Sequence, residues 1–219
     1  MHVINLYSSV YQADSNDYLN ARKRKTILIV VLNMGNTYTK VTDFFPADMF
    51  AEILNAAEHS SHNHRKHPDL PLIIDIDTFI DGDINQYIDK YFDNLGYNTE
   101  ESVCRLQGTL PGTEYKIHKD TPSKILTLLI YVKGEEGTTF YEDVKGKDHI
   151  TWNAGSPKAD WGINPTVDTF TPNAGYWFSR DDQPWHSYHN NQDSVRWVFM
   201  YNIQDIGVYN SVGRDTTSN

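Results

Sequence analysis

TEYKIHKDTPSKILTLLIYVKGEEGTTF, residues 113–140, is the stretch on which the fold of this chain turns. It contains no helical period. Short apolar or alternating runs, 113–120, 124–133 and the start of one near 138–143, are broken by Thr121-Pro122-Ser123 and by Gly134-Glu135-Glu136-Gly137. Runs of that length, rich in Ile, Leu, Thr, Tyr and Val and bounded by Gly and Pro, are β-strands. The same texture fills everything after about residue 100, with further runs near 103–107, 149–152, 174–179, 184–189 and 194–203. Eight short strands of this kind suit a jelly roll, two antiparallel sheets laid face to face.

Upstream the period changes. Phe50, Ile53, Leu54 and Ala57 recur at helical spacing behind Pro46, which suits a first helical turn, so a helix is expected over 46–58. Ile84, Ile88, Tyr91, Phe92 and Leu95 define a second amphipathic helix closed by Gly96. Thr26–Asn33 and Leu72–Phe79 read as strands, and residues 1–25 as a polar arm without apolar period. The expected organisation is an arm over 1–25, a strand-and-helix support over 26–100, a β core over 101–205 and a tail over 206–219, with 26–205 forming one domain.

Composition narrows the function. The 219 residues carry 19 Lys+Arg against 29 Asp+Glu, a net charge of −10. That balance disfavours nucleic acid as a partner, because phosphate binding is built on Lys and Arg. Cys104 is the sole cysteine, so an intramolecular disulfide and any cysteine-based metal cluster are excluded; a bound metal would be held by histidine and carboxylate. The longest apolar run, Ile27–Leu32, is far short of the roughly 20 residues that span a bilayer. Although Arg22–Lys25 precede it, no small-residue cleavage site follows, so an intracellular, cytoplasmic protein is expected.

Within 113–120, His118 and Asp120 stand two apart on an expected strand, so both side chains leave one face while Lys119 leaves the other. A second histidine from a distant strand would complete a facial triad of two imidazoles and one carboxylate, the donor set that suits non-haem Fe(II). His-x-Asp by itself is common. The order of motifs around it is not: Tyr115-x-x-His118-x-Asp120, the run 126–132, Gly137-Thr138-Thr139-Phe140, Pro172-x-x-Gly175-Tyr176-Trp177-Phe178, Pro184-Trp185-His186 and Arg196-Trp197. In that order and spacing the segment 105–203 resembles the 2-oxoglutarate- and Fe(II)-dependent dioxygenases, in particular their prolyl 4-hydroxylase-like branch.

The resemblance implies a double-stranded β-helix, a jelly roll with the N-terminal helices outside one sheet. It implies Fe(II) on His118, Asp120 and His186, with 2-oxoglutarate and O2 as co-substrates and ascorbate as an available reductant. Arg196 matches the basic residue that grips the far carboxylate of 2-oxoglutarate, and Tyr131 a tyrosine that often hydrogen-bonds it. The implied reaction is oxidative decarboxylation of 2-oxoglutarate to succinate coupled to hydroxylation, with a carboxylate at position 120 favouring hydroxylation over halogenation. A peptidyl or free amino-acid side chain is the leading substrate expectation, with other small molecules open.

The residues themselves point the same way. Asn190-Asn191-Gln192-Asp193 is a turn cluster, so His186 and Arg196 are expected on the two strands of one hairpin. Arg196, Val198 and Met200 share one face of the second strand, and a guanidinium among apolar neighbours is costly unless an anion meets it. His189 lies only seven residues from Arg196 and abuts the turn, which favours His186 as the ligand. The His59, His62, His64, His67 tract and the Asp75, Asp77, Asp81, Asp83 series fit solvated segments better than metal sites. Trp152–Thr171 is expected to be a long loop at the rim, with Trp152 and Trp161 as candidate substrate contacts. Two alternatives use the same fold: a cupin-like metal enzyme without 2-oxoglutarate, which needs no internal Arg196, and a non-catalytic binding module.

Overall fold

The computed structural model describes residues 38–59, 72–75, 83–141 and 165–208. Ten strands and two principal helices follow in the order β1 (Thr39–Val41), α1 (Ala47–His59), β2 (Leu72–Asp75), α2 (Asp83–Asp93), β3 (Ser102–Thr109), β4 (Glu114–His118), β5 (Lys124–Lys133), β6 (Glu136–Tyr141), β7 (Thr166–Thr169), β8 (Gly175–Ser179), β9 (Trp185–His189) and β10 (Arg196–Gln204). They form a six-stranded sheet, β1-β8-β5-β10-β3-β2, and a four-stranded sheet, β4-β9-β6-β7, with every pairing antiparallel. This is the expected jelly roll.

The larger sheet has apolar residues on both faces, which explains why its central strands read as near-continuous hydrophobic runs. One face carries Leu126, Leu128, Ile130, Leu106, Trp197, Phe199 and Tyr201 against Ile53 and Ala57 of α1 and Ile84, Ile88 and Phe92 of α2. Phe92 stacks on Tyr201 with ring centroids 5.4 Å apart. The other face carries Tyr131, Tyr176, Phe178, Val198 and Met200 toward the smaller sheet. The period-2 alternation expected along β10 is therefore realised on both sides.

Local chemistry sets the ends of these elements. The fragment after α2 turns through Gly96 at φ 90°, and the Tyr97 amide donates back to the Phe92 carbonyl, 3.1 Å. Ahead of α1, buried Asn173 staples the chain: the Phe45 amide donates to its Oδ1 at 2.9 Å, and its Nδ2 donates to the Phe45 carbonyl at 2.8 Å. That pair fixes the helical layer to the turn before β8.

Several expectations are corrected. His186 and Arg196 do not form one hairpin: β9 pairs with β4 and β6, whereas β10 pairs with β3 and β5, so the turn crosses from one sheet to the other. The physical reason is Asn190, fully buried, which donates to the carbonyls of Thr109 (2.8 Å) and Ser194 (2.9 Å) and exchanges backbone bonds with Gly112 and Thr113. Those bonds tie the end of β9 to the β3–β4 turn and release the chain into the larger sheet. The long loop Trp152–Thr171 is also not wholly a loop, since Thr166–Thr169 is strand β7, paired with β6. Its alternation is too short, and its Val167 too exposed at 63%, to stand out in the sequence. Residues 1–25, Thr26–Asn33, the run near 149–152, and Trp152 and Trp161 lie outside the described residues. Among the described residues, no helix is long and apolar enough to cross a membrane.

Candidate metal centre and its cavity

His118 closes β4 and His186 is the second residue of β9, and the two are direct partners across the ladder. Their rings face each other with centroids 4.4 Å apart. Asp120 lies two residues beyond His118, just past the strand end and not within it as the sequence suggested; an irregularity between Tyr115 and His118 turns the strand end. The same-face geometry is kept by other means. The Thr127 hydroxyl donates to Asp120 Oδ2 at 2.7 Å and the Lys124 ammonium pairs with it at 3.1 Å, while Oδ1 lies 4.0 Å from Nε2 of each histidine. Both partners come from β5, so the carboxylate is oriented by the facing sheet.

One donor atom from each of the three residues falls within 4.8 Å of the others. His186 Nδ1 lies 3.0 Å from the Pro184 carbonyl, so a proton there donates to Pro184 and leaves the Nε2 lone pair aimed at the cluster. Burial, with the neighbouring His118 next, lowers the His186 pKa to about 4 although Asp120 pulls it up, so the ring is a neutral ligand at physiological pH. Burial alone would raise Asp120, but Lys124, the two imidazoles and the Thr127 hydroxyl outweigh it and hold the carboxyl well below the usual carboxylate range. A neutral His186, the imidazole of His118 and one ionised carboxylate, with side chains 13%, 15% and 9% exposed for His186, His118 and Asp120, fit a divalent metal of the Fe(II) type. His189 is exposed at the end of β9 and takes no part. His59 ends α1 with its Nδ1 3.0 Å from the Asn55 carbonyl, and Asp83 begins α2. The rest of those two series, apart from the Asp75 backbone in β2, lie outside the described residues.

The triad opens into a cavity of about 590 Å³ between the sheets, walled by side chains from both. Arg196 enters it from β10, only 3% exposed. Its Nε donates to the Glu136 carbonyl at 3.1 Å and its Nη2 to the Thr138 hydroxyl at 3.3 Å, and the guanidinium lies 3.8 Å over the Tyr188 ring. Tyr176 donates to the same Thr138 hydroxyl at 2.9 Å. Burial pushes the Tyr176 and Tyr115 phenols well above their ordinary range, so they are neutral hydroxyls on the cavity wall.

Tyr131 sits differently from the sequence expectation. It is fully buried; its hydroxyl donates to Asp168 Oδ2 at 3.1 Å and accepts from the Thr138 amide at 3.0 Å, and Asp168 pairs in turn with Lys40. Its ring centroid is 5.3 Å from the Arg196 guanidinium. Tyr131 thus lies against Arg196 and the β6 backbone, and Tyr115, Tyr176 and Tyr188 are the tyrosines that line the cavity. Sequence reasoning also missed Lys124 and Thr127, although a threonine inside the apolar run 125–132 is itself a signal: a hydroxyl in a buried strand needs a partner.

No family model matches the chain, and no curated protein matches it by sequence. Solved structures do. A prolyl-4-hydroxylase of Pseudomonas putida is 12% identical, with a TM-score of 0.52 over 77% of this chain and 92% of its own. The epimerase SnoN from nogalamycin biosynthesis, solved with Fe3+, α-ketoglutarate and nogalamycin RO, is 12% identical, with a TM-score of 0.55 over 78% and 80%. A prolyl hydroxylase of Trichoplax adhaerens, in complex with a hypoxia inducible factor peptide fragment, is 14% identical, with a TM-score of 0.52 over 84% and 88%. The fold is theirs. The chain shares the fold of these prolyl hydroxylases and this α-ketoglutarate-dependent epimerase, and a His-Asp-His cluster is present in it.

Proposed function

We propose that this protein is a 2-oxoglutarate- and Fe(II)-dependent oxygenase that hydroxylates an unactivated C–H, with an amino-acid side chain, free or peptidyl, as the leading substrate class. The observation that carries this is the opposition, across one cavity, of the His118–Asp120–His186 cluster on the smaller sheet and the buried Arg196 on the larger. Among the described residues no carboxylate pairs with Arg196; its bonds go to a neutral carbonyl and a neutral hydroxyl. A guanidinium buried without a counter-ion costs several kcal/mol, and a dicarboxylate that also reaches the metal supplies the missing charge. The cupin-like alternative gives Arg196 no such reason to be there.

His118, His186 and Asp120 Oδ1 would hold the iron, which when bound supplies the redox chemistry coupling 2-oxoglutarate decarboxylation by O2 to C–H cleavage. Lys124 and Thr127 hold the other carboxylate oxygen and keep Asp120 ionised, leaving Oδ1 toward the two histidines. Arg196 fixes the far carboxylate of 2-oxoglutarate in a planar fork, with Tyr176 and Thr138 beside it and the Tyr131 ring close to the guanidinium. The apolar wall of Leu129, Val198 and Met200 excludes water from that end. The test is 2-oxoglutarate binding to the Mn(II)-loaded protein without O2, followed by succinate formation from amino acids and peptides with Fe(II) in air. Tight binding that disappears in Arg196→Ala is expected; unchanged affinity in that variant removes the reading and favours the cupin-like one.

A further inference from the structure

The cavity contains a second arginine that neither the metal nor 2-oxoglutarate uses. Arg105 projects from β3, opposite Met200 of β10, and lines the cavity together with its neighbour Gln107. Arg105 is half-buried, with its Nε buried and without a hydrogen-bond partner among the described residues; its ladder partner on β2 is Asp75. Among the described residues the only acid on the cavity wall is Asp120, already committed to Lys124 and facing the two histidines. Arg105 and Arg196 both look into this cavity, in a chain whose net charge is −10. A buried guanidinium N–H without an acceptor is costly, so a ligand group that accepts from Arg105 Nε is implied, and the acceptor that best matches a guanidinium is a carboxylate.

The two arginines enter the cavity at different levels of the larger sheet. Arg196 opposes Thr109 in the β10–β3 ladder while Arg105 opposes Met200, four residues further along β10 toward the metal end, where Asn202 and Thr127 meet beneath Asp120. Arg105 is also on the strand lying on the other side of β10 from β5 and β8, which carry Tyr176 of the Arg196 end. A cavity of about 590 Å³ is in the range that takes a drug-sized ligand and has room for more than a five-carbon dicarboxylate.

From this we infer that Arg105 is a substrate-binding residue and that the substrate is a small molecule bearing a carboxylate, gripped by the Arg105 fork while its C–H is presented to the metal. This rests on the oxygenase proposal, and narrows it toward free acids or amino acids over an internal peptide segment, which offers no main-chain carboxylate. Gln107, whose Nε2 reaches the Tyr115 hydroxyl at 3.5 Å, is placed to share the same group.

The test is calorimetric titration of the full chain, loaded with Mn(II) and saturating 2-oxoglutarate in the absence of O2, with two matched pairs: L-proline against L-prolinamide and benzoate against benzamide. At least one acid is expected to bind about tenfold or more tighter than its amide. Arg105→Gln should bring that ratio close to one, Arg105→Lys should restore part of it, and 2-oxoglutarate affinity should stay within about twofold in both. Three results overturn the inference: no saturable binding of either acid, an acid-to-amide ratio untouched by Arg105→Gln, or a loss of 2-oxoglutarate affinity in Arg105→Gln comparable to that in an Arg196→Gln control. Failure of the unmodified protein to bind 2-oxoglutarate at all would be a different failure: it would take down the oxygenase reading, and this one with it.

Discussion

The two faces of β10 carry residues of similar burial and opposite purpose. Toward the helices, Trp197, Phe199, Tyr201 and Ile203 close a core with α1 and α2 in which aromatic rings meet edge to face and stacked. Toward the smaller sheet, Arg196, Val198 and Met200 border a cavity in which polar groups, Thr127 and Thr138 among them, are held by specific hydrogen bonds. One strand thus serves as a packing element on one side and as the floor of a site on the other. Close packing penalises any change of volume on the first side, whereas the second side tolerates volume and is sensitive to charge and to lost partners.

The comparison can be broken by substitutions ordered by expected effect. His118→Ala or His186→Ala should abolish Fe(II) binding and turnover while the helix-side core, and hence cooperative unfolding, is retained; metal content by elemental analysis with a parallel melt checks both, and His189→Ala should keep its iron. Phe199→Ala should cost about 3–5 kcal/mol of stability in chemical denaturation, with Met200→Ala near the low end of about 2 kcal/mol because it already borders open space. Equal losses at the two positions would mean that the faces are energetically alike.

On the cavity side, Arg196→Ala should weaken 2-oxoglutarate by at least about a hundredfold, from the roughly 3–5 kcal/mol that follows loss of one partner of a buried pair. Arg196→Lys should recover part of that. Lys124→Met and Thr127→Val should each lower metal affinity about 10–100-fold without removing a ligand, read by Mn(II) titration. The smallest effect belongs to Tyr131→Phe: having its hydroxyl on Asp168 and the Thr138 amide, it should cost 2-oxoglutarate affinity about tenfold or less. A loss as large as that of Arg196→Ala would show the hydroxyl meeting the ligand directly.

Much of this was legible in order of residues. The period-2 runs, the helix stripes behind Pro46 and before Gly96, and the alternation of Arg196-Val198-Met200 against Trp197-Phe199-Tyr201 all appear in the structure, because side-chain direction along a strand or helix is set by local backbone geometry. Of the two histidines on β9, His186 comes together with His118 and Asp120 and His189 is exposed at the strand end.

Strand partnership was not legible. Nothing local to Asn190-Asn191-Gln192-Asp193 says that the chain crosses between sheets; that follows from the bonds Asn190 makes to Thr109 and Ser194, the first of them 81 positions away. Tyr131 has the right spacing for a co-substrate contact, yet Asp168, from a strand too short to recognise, captures its hydroxyl. Lys124, Thr127 and Arg105 read as ordinary strand residues until the facing strands are in place. Sequence by itself determined which side chains are available on which face, a matter of covalent geometry; only the tertiary structure decided which partners meet across the sheets, because hydrogen bonds and charge compensation depend on distances between residues far apart in the chain.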